Sequence, residues 1–567
     1  ETGSYKPSYL HNPGVEPLCA LTTGQAIDIA AQKWKDRDAV VSLYQGHRYT
    51  FSEVRDKADK IAAGLMQLGL KRGDRLGIWG PNSSEWFISR LAAARGGFIA
   101  VQLDPAYQSP ELQYSLNKVE IKMLIISPSF KTNNCYEIVR AVVPELDKCA
   151  DAGTELTCEK VPSLKRIIVM SDTQYKGAHR LKDVSDSALP ETVKKVREQQ
   201  VLIQPDDGCC ILFSSGTTGT PKGALISHHS IINNSLLCGK RTNMGMKTNM
   251  LIITQFCHLS GTAAGIICAI LFGSTTVLPC PTFDSVKALE ATISERCTHV
   301  VGAPSLYVDM MANSKQHDLK VTTLQVAFYG GAPCSEQLAL QIKGNFERSN
   351  INKPCFGMTE TCVTFVARAD DTIEQRTQTV GYIADHCEVK VVDKEGRMVP
   401  MGTPGELWIR GYGNMLGYWN DDQKTREFLR DDRWAKTGDE FILQEDGYGR
   451  IVGRVKECII RIGDKIFPSE IENFFTQHPD ILEAQAFGVP DPKVGEEICV
   501  YLRLRGGVVL TEDNIWEFCK DKVSEYRIPK YIRFTKQFQR TSFGKVRKFK
   551  LLEELMEELN TQKQTKR

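Results

Sequence analysis

Short apolar runs alternate with amphipathic segments between about residue 50 and residue 330. The segments Phe51–Leu68 and Glu111–Lys118 carry apolar residues at helical spacing, so they predict helices. The apolar runs predict buried strands, at Leu76–Trp79, Met123–Ile126, Ile167–Met170, Ile211–Phe213 and Val326–Tyr329. Strands that alternate with helices are typical of layered α/β folds with parallel sheets. The first and larger part of the chain is therefore predicted to be α/β.

The pattern changes twice towards the end of the chain. Short strands bounded by turns predict a β-rich module, at Glu388–Val392, Leu407–Arg410 and Gly449–Val452. After residue 456, strand-like and helix-like segments mix, and Ser469 with Glu472 three positions later has the pattern of a capping box. We therefore expect a large N-terminal domain of layered α/β subdomains and a β-rich module at 1–455, and a small mobile α+β domain at 456–567.

Composition narrows the class of protein. Hydrophobic residues make up 42% of the 567 residues and charged residues 25%, which is ordinary for a globular protein and excludes wholesale disorder. Lys and Arg together number 71 against 69 Asp and Glu, so the net charge is only +2. This balance gives no electrostatic reason to expect a nucleic-acid partner. An anionic ligand must therefore be held by a local site.

The cysteines and one uncharged segment need separate interpretation. The 18 cysteines are scattered without recurring CxxC pairs, so buried free thiols of a reducing compartment are favoured over a zinc or disulfide scaffold.

Residues 250–283 contain no Lys, Arg, Asp or Glu, but the apolar stretch Ala263–Phe272 is only ten residues long. A membrane span needs about 20 residues, so we expect a buried core helix and no transmembrane segment.

The segment from Phe213 to Gly223 is the most informative of the chain, because it is rich in glycine and hydroxyl residues and follows a predicted strand. Its candidate ligand-binding residues are Ser214, Ser215, Gly216, Thr217, Thr218, Gly219 and Lys222. Glycines let backbone N–H groups approach an anion, while hydroxyls and a lysine add donors and a counter-charge. Lys222 is followed by glycine and not by Ser or Thr, so the spacing is not that of a P-loop NTPase. The segment is predicted to cradle phosphate.

This loop resembles the signature loop of the adenylate-forming enzymes, which include acyl-CoA synthetases, firefly luciferase and peptide-synthetase adenylation domains. Further segments similar to family motifs follow in the expected order, at Tyr329–Pro333, Phe356–Glu360, Thr437–Asp439, Gly453–Glu457 and Arg540–Lys548. The resemblance covers essentially the whole chain after residue 4. Segments such as Trp79–Ser83, Gly411–Trp419 and Val489–Asp491 look particularly like the mitochondrial medium-chain acyl-CoA synthetases.

The resemblance implies a nucleotide site. The adenine would lie along Gly330, Gly331, Ala332 and Pro333 and stack on the aromatic ring of the motif Phe356, Gly357, Met358, Thr359 and Glu360. Within that motif Thr359 would contact the α-phosphate, and Glu360 would hold Mg²⁺, a hard cation that prefers oxygen ligands. Asp439 would accept hydrogen bonds from the ribose, and Arg454 would lie near the nucleotide.

Other family positions imply catalysis and movement. Lys545 would catalyse adenylation, helped by donors such as Thr217 and Lys222, because negative charge accumulates as a carboxylate attacks ATP. Lys456 would be the pivot between the domains. Gly463 would let the pantetheine arm of coenzyme A pass, where the neighbouring Ile462 replaces a glycine common in the family. His258 occupies the acyl-pocket segment, as a gate to the carboxylate site or as a structural histidine.

The implied activity is ATP-dependent ligation of a carboxylic acid, of medium-chain fatty acid type, to coenzyme A through an acyl-adenylate, with release of AMP and pyrophosphate. The implied partners are the acid, ATP with Mg²⁺, and coenzyme A, without nucleic acid. The implied location is the mitochondrial matrix, with cytoplasm and peroxisome as alternatives, and a homo-oligomer stays open. A luciferase-like oxidation, acylation of a carrier protein, and a nucleotide- or lipid-binding pseudoenzyme are the competing interpretations of function.

Overall fold

The computed structural model describes residues 6–214, 221–332, 334–346, 352–461, 464–520, 522–523, 527–541 and 544–565. Two large, mostly parallel sheets, an antiparallel sheet and a small C-terminal sheet organise these residues. The first sheet has the strand order His179–Arg180, Arg166–Val169, Met123–Ile126, Arg75–Trp79, Ile99–Leu103, Gly208–Ser214, Lys222–Ser227 and Gly417–Tyr418. Its strands are parallel up to Gly208–Ser214, and the last two are antiparallel.

The second sheet has the strand order Tyr382–Ile383, Cys362–Val366, Asn352–Met358, Val326–Tyr329, His299–Gly302, Asn249–Ile252, Thr275–Leu278, Asp38–Ser42 and His47–Thr50. The strands from Asn352–Met358 to Asp38–Ser42 are parallel. The third sheet is antiparallel, with the order Tyr9–Asn12, Cys387–Val392, Gly405–Gly411, Ala435–Leu443 and Gly449–Arg454.

The fourth sheet belongs to the small C-terminal domain, with strands Asp464–Ile466, Ile459–Arg461, Gly495–Leu504 and Ile481–Asp491, and Tyr531–Thr535 parallel to Gly495–Leu504. Helices Pro468–Phe475, Glu512–Cys519 and Lys548–Thr565 accompany it. A two-stranded pair joins Ser129–Phe130 to Asn133–Asn134 in the large domain.

Helices cover both faces of the two large sheets. They are Thr23–Lys33, Phe51–Gln67, Ser84–Gly96, Ser109–Lys118, Cys135–Val142, Leu181–Asp186, Pro190–Glu198, His228–Arg241, Leu259–Thr262, Cys268–Phe272, Ser285–Ser294, Pro304–Gln316, Glu336–Asn345, Ile373–Gln378 and Asp422–Phe428. A π-helical segment, Ala263–Ile267, joins two of them, and short 3₁₀ segments lie at Pro144–Lys148, Gln199–Val201 and Val455–Glu457.

Helix Ser84–Gly96 lies between the two large sheets and is buried on every side. It begins at Ser83, whose side chain accepts from the N–H of Trp86, and ends at Gly97, whose φ of 68° is left-handed. Its buried Arg95 guanidinium donates to Asp59 at 2.5 Å and to Asp28. A buried guanidinium is tolerated only when charged partners replace its hydration, so these carboxylates are required by the fold.

The predicted fold class is confirmed, and the predicted strands and helices of the large domain are present. The uncharged stretch around residues 263–272 is a buried helical segment, and none of the described helices has the length and apolar character needed to cross a membrane. All 18 cysteines are free, and 13 of them are buried, as expected. The domain boundary near residue 456 stays a prediction.

The predicted capping box at Ser469 is wrong. The helix begins at Pro468, with Phe467 at its N-cap position and no side-chain cap. The Ser469 hydroxyl donates to the carbonyl of Val452 at 2.8 Å, and Glu472 accepts from Lys548 and from the N–H of Ala486. Both side chains therefore join the helix to other elements, which compete with capping for the same atoms.

Candidate active site

The predicted phosphate loop connects two antiparallel strands at one end of the first sheet. Strand Gly208–Ser214 leads into it and Lys222–Ser227 leads out, with Ser214 opposite Lys222 in the register. Ser215, Gly216, Thr217, Thr218 and Gly219 lie outside the described residues. Of the loop's candidate residues, the structure therefore describes only Ser214 and Lys222, which form the stem of the loop. Other candidate residues lie on the same side of the sheet as this stem.

Glu360 contacts that stem, although 146 positions separate it from Ser214. Its carboxylate oxygen Oε1 accepts from the Ser214 hydroxyl at 2.6 Å and from the Tyr418 hydroxyl at 2.8 Å. The ammonium of Lys222 lies 5.0 Å from the centroid of the Tyr418 ring. Burial and the nearby Glu360 carboxylate raise the pKa of Tyr418, which keeps it a hydrogen-bond donor. The sequence interpretation did not assign Tyr418 to the site, although its Gly–Tyr pair lies in a segment that resembles the family.

The donor set around Glu360 fits a magnesium ion that arrives with a nucleotide. Mg²⁺ is usually held by one or two carboxylates together with phosphate oxygens and water. Both hydrogen bonds to Glu360 fall on Oε1, so Oε2 is engaged by neither hydroxyl. In the described part of the chain, no cluster of three or more His, Cys, Asp or Glu side chains could form an all-protein metal cage. The single carboxylate therefore suits a shared ion and not a permanent structural metal.

Asp439 supplies a second buried carboxylate, in the middle of strand Ala435–Leu443. Its Oδ1 lies 2.8 Å from Nε of Arg454, an ion-pair distance, yet neither carboxylate oxygen has a hydrogen-bond partner among the described residues. Burial raises the pKa of Asp439 to about 6, although Arg454 and Lys545 oppose the rise. Arg454 approaches only one of the two oxygens, so this buried carboxylate keeps acceptor capacity that is costly to leave unused. A ligand with a pair of hydroxyl groups would satisfy both oxygens.

Lys545 reaches the same region from the small domain. The carbonyl of the preceding Gly544 accepts from the hydroxyl of Ser305, on the large domain, at 3.1 Å. Gly544 has a φ of 93°, a conformation that side chains other than glycine rarely adopt. The Lys545 side chain is exposed, but desolvation by the surrounding protein lowers its pKa, while the carboxylates of Glu457 and Asp439 oppose that change. The structure thus brings Lys545, Asp439 and Arg454 together, with the small domain turned so that its lysine faces the large domain.

The predicted adenine segment follows strand Val326–Tyr329. A Cβ atom at Gly330 would lie 2.6 Å from the carbonyl oxygen of Cys355, and Gly331 has a φ of 75°, so both positions favour glycine. A cavity of about 600 Å³ lies beside them, lined by Gly330, Ala332, Cys355, Ile451 and Gly453 among others. Pro333 lies outside the described residues. A flat ring has room at this place, and the assignment to adenine stays a prediction.

Phe356 and Gly357 belong to strand Asn352–Met358, which runs parallel to Val326–Tyr329. The Phe356 ring is only 7% exposed, and its centroid lies 5.7 Å from that of Phe441. A Cβ at Gly357 would lie 2.3 Å from the carbonyl of Cys362, so a side chain does not fit there. Met358 and Thr359 are half-buried at the end of the strand and in the following turn. Their contacts with a nucleotide stay predicted.

His258, Lys456 and Gly463 are the remaining candidates. His258 precedes helix Leu259–Thr262, and burial lowers its pKa against the influence of Asp104. Lys456 is exposed in the short 3₁₀ segment between the third and fourth sheets. Gly463 and Ile462 are not among the described residues. The roles of His258 as gate and Lys456 as pivot stay predictions.

Side chains that belong to the first sheet or follow its strands hydrogen-bond to the backbone just before His258. The sequence did not indicate these contacts. The Asn82 amide donates to the carbonyl of Thr254 at 2.8 Å and accepts from the N–H of Phe256 at 2.7 Å. The Gln102 amide donates to the carbonyl of Phe256 at 2.6 Å. These hydrogen bonds bridge the two large sheets and hold the backbone that presents His258.

The sequence profile of the AMP-binding enzyme family matches residues 27–419, and that of the AMP-binding enzyme C-terminal domain matches residues 470–545. The chain therefore belongs to the AMP-binding enzyme family, and its resemblance to the adenylate-forming enzymes is confirmed.

Its relatives include the mitochondrial medium-chain acyl-CoA ligase ACSF2 of Mus musculus, 39% identical over 97% of this chain and 90% of the relative. The ACSF2 of Homo sapiens is 38% identical over 98% of this chain and 90% of its own length. The putative acyl-CoA synthetase YngI of Bacillus subtilis is 33% identical over 96% of this chain and 98% of its own length.

Solved structures share the fold. The anthranilate CoA ligase AuaEII, in complex with anthranoyl-AMP, matches with a TM-score of 0.81 and 23% identity, over 94% of this chain and 97% of that chain. The ATP-bound MatB of Rhodopseudomonas palustris matches with a TM-score of 0.77 and 23% identity, over 94% of this chain and 99% of that chain. At this identity the likeness concerns the fold.

Proposed function

We propose that this protein ligates a carboxylic acid to coenzyme A at the expense of ATP, through an acyl-adenylate. A carboxylate oxygen of the acid attacks the α-phosphorus of ATP, and pyrophosphate leaves. The sulfur of coenzyme A then attacks the acyl carbonyl, the thiol loses its proton, and AMP leaves. The observation that carries the proposal is the convergence of Lys545, Asp439 and Arg454 at one place, in a chain that belongs to the AMP-binding enzymes.

Lys545 is proposed to act in the first half-reaction. Two anions must approach each other there, and negative charge grows on the α-phosphate oxygens. An ammonium held beside the reacting phosphate stabilises that charge by direct electrostatic attraction. Thr217 and Lys222 of the phosphate loop are proposed to add donors and a positive charge.

Asp439 and Glu360 are proposed to hold the nucleotide at its two ends. The buried oxygens of Asp439 would accept from the ribose hydroxyls, with Arg454 beside them. Glu360 would hold Mg²⁺, positioned by Ser214 and Tyr418. When bound, this ion neutralises charge on the triphosphate.

The second half-reaction is proposed to need a different orientation of the small domain. Lys545 lies where the acyl-adenylate forms, and coenzyme A must reach the same carbonyl. We propose that residues 1–455 and 456–567 are the two domains, and that rotation at Lys456 removes Lys545 and admits the pantetheine arm past Gly463. The 3₁₀ segment Val455–Glu457 supports a pivot here, because none of its three residues is buried.

The substrate and the location are proposed from the relatives. Medium-chain acyl-CoA ligases that are 38–39% identical over nearly the whole chain support a medium-chain fatty acid as substrate and the mitochondrial matrix as location. Because these relatives are named acyl-CoA ligases, they also favour coenzyme A as the acceptor over a luciferase-like oxidation or carrier-protein acylation.

A panel of acids tests the proposal. Purified protein is incubated with ATP, Mg²⁺ and acids from C2 to C18 as well as aromatic acids, with and without coenzyme A, and AMP and acyl-CoA are measured. We expect AMP release that depends on coenzyme A and is greatest for a medium-chain acid. Adenylate that accumulates without any use of coenzyme A would point to another acceptor. Absence of AMP with every acid would refute the proposal and favour a pseudoenzyme.

A further inference from the structure

One ion pair joins the two domains close to Lys545. Arg503, on strand Gly495–Leu504 of the small domain, donates from Nη2 to Oδ1 of Asp309 at 2.6 Å. Asp309 lies on helix Pro304–Gln316 of the large domain. The side chains are 11% and 28% exposed, respectively. Such a pair is largely shielded from solvent, so it contributes more than an ordinary surface ion pair.

Further charged groups extend this pair towards the catalytic loop. Nη1 of Arg503 lies 3.7 Å from Oε2 of Glu483, and that same oxygen accepts from Nη2 of Arg540 at 2.6 Å. Nη1 of Arg540 donates to the carbonyl of Gly544 at 3.1 Å. Charges of alternating sign therefore run from the large domain to the residue that precedes Lys545.

The charge balance of this chain depends on the large domain. Arg503, Glu483 and Arg540 belong to the small domain and together carry one positive charge. Asp309 is the member from the large domain, and it brings the sum to zero. Burial raises the pKa of Glu483, but Arg540 and Arg503 oppose the rise and favour its ionised form. The compensation by Asp309 exists only while the small domain is docked in this orientation.

The loop before Lys545 docks on the first turn of the same helix. The Ser305 hydroxyl donates to the Gly544 carbonyl, the oxygen that also accepts from Arg540. A Cβ at Gly544 would lie 3.1 Å from Cδ2 of Leu306, so the loop backbone is closely packed against this turn. Helix Pro304–Gln316 is therefore the surface that receives both the charged chain and the loop.

We propose that Asp309 and Arg503 are positioning residues for the adenylation half-reaction, because they hold the small domain in the orientation that presents Lys545. The inference rests on the proposed function. Neither residue needs to touch a substrate. Their ion pair stabilises one of the two domain orientations, and the rate of adenylation follows the population of that orientation.

The test measures the half-reactions separately in the full chain carrying Asp309→Asn. Loss of a charge-assisted contact of this kind lowers the docked population, so we expect kcat for adenylation to fall about tenfold, with KM for ATP little changed. Thioester formation from supplied acyl-AMP and coenzyme A is expected to keep its rate or to become faster. Asp309→Glu keeps the carboxylate and should restore most of the adenylation rate.

Two further variants separate positioning from general damage. Asp309→Asn combined with Arg503→Gln should be no slower than the worse single variant, because both changes break the same contact. Asp318→Asn removes an exposed carboxylate nine positions along the chain, where Asn tolerates the φ of 49°, and should match the wild-type protein.

The inference is overturned if Asp309→Asn leaves adenylation unchanged, or if it slows both half-reactions equally. Failure of the proposed function would look different, because then the wild-type protein itself would form no acyl-adenylate from any acid of the panel.

Discussion

Replacing Asp439 with Asn is expected to stabilise the protein while impairing nucleotide binding. The carboxylate of Asp439 is fully buried with Arg454 Nε 2.8 Å from its Oδ1, and burial still raises its pKa from the ordinary 3.8 to about 6. The folded chain therefore binds this proton more tightly than the unfolded chain. The contribution of Asp439 to stability is therefore greatest below pH 3.8 and falls as the pH rises to about 6, above which the loss from this group is constant.

The rise in pKa sets the size of the effect. Each pKa unit corresponds to about 1.4 kcal/mol, so the ionised carboxylate costs about 3 kcal/mol of unfolding free energy at pH 8 and about half of that at pH 5. The attraction of Arg454 and Lys545 is already contained in this net value, because both lower the pKa. An Asn side chain has a similar shape and no charge, so it avoids the cost.

Urea unfolding of the wild-type and Asp439→Asn proteins at pH 5 and pH 8 measures the effect. We expect the variant to be more stable at both pH values, with about twice the difference at pH 8, and to show a KM for ATP that is raised at least tenfold, since a ribose partner is lost. Glu445→Gln changes an exposed carboxylate in the same hairpin and should alter stability by no more than about 0.5 kcal/mol. The reasoning would be refuted if the variant were no more stable than wild type at pH 8, or if the difference in unfolding free energy were the same at both pH values.

Four other substitutions test separate parts of the proposal. Lys545→Ala should slow adenylation by about 10²–10³-fold and spare thioester formation from supplied acyl-AMP, and equal losses would contradict the assignment. Glu360→Gln should raise the Mg²⁺ concentration needed for half-maximal turnover, which a Mg²⁺ titration measures. Lys456→Pro should trap the small domain as docked, so adenylation should survive and thioester formation fail, provided that the melting temperature is retained. Arg95→Met leaves the buried Asp59 with Arg197 as its remaining guanidinium partner and should lower the unfolding free energy by about 3 kcal/mol, the lower end of the range for a broken buried ion pair, measured in urea.

Local sequence patterns predicted the elements better than the contacts between them. The alternation of apolar runs and amphipathic segments is a local property, and the strands around Leu76–Trp79 and Val326–Tyr329 follow from it. Helix Ser84–Gly96 is buried on every side, so it lacks the polar face that marks most helices in a sequence. Its Arg90 and Arg95 look like surface residues until their position between two sheets is known.

The candidate site shows the same limit. Motif order identified Glu360, Asp439 and Lys545 as a set, and the structure brings Asp439 and Lys545 together. Tyr418 was not assigned, because its role depends on a hydrogen bond to a residue 58 positions away. The capping box at Ser469 failed for the same reason, since Lys548 engages Glu472 from 76 positions away. Such long-range pairs leave no local pattern.

The strand Tyr9–Asn12 has a consequence for the order in which the protein assembles during synthesis. It forms the edge of the third sheet by pairing with Cys387–Val392, about 380 residues later in the chain. At about 5–20 residues per second, a ribosome needs roughly 20–75 s to produce that partner. During this interval the backbone groups of the early strand have no sheet to join. The third sheet, which carries Asp439, is therefore closed by a strand that is synthesised about 380 residues ahead of the strand with which it pairs.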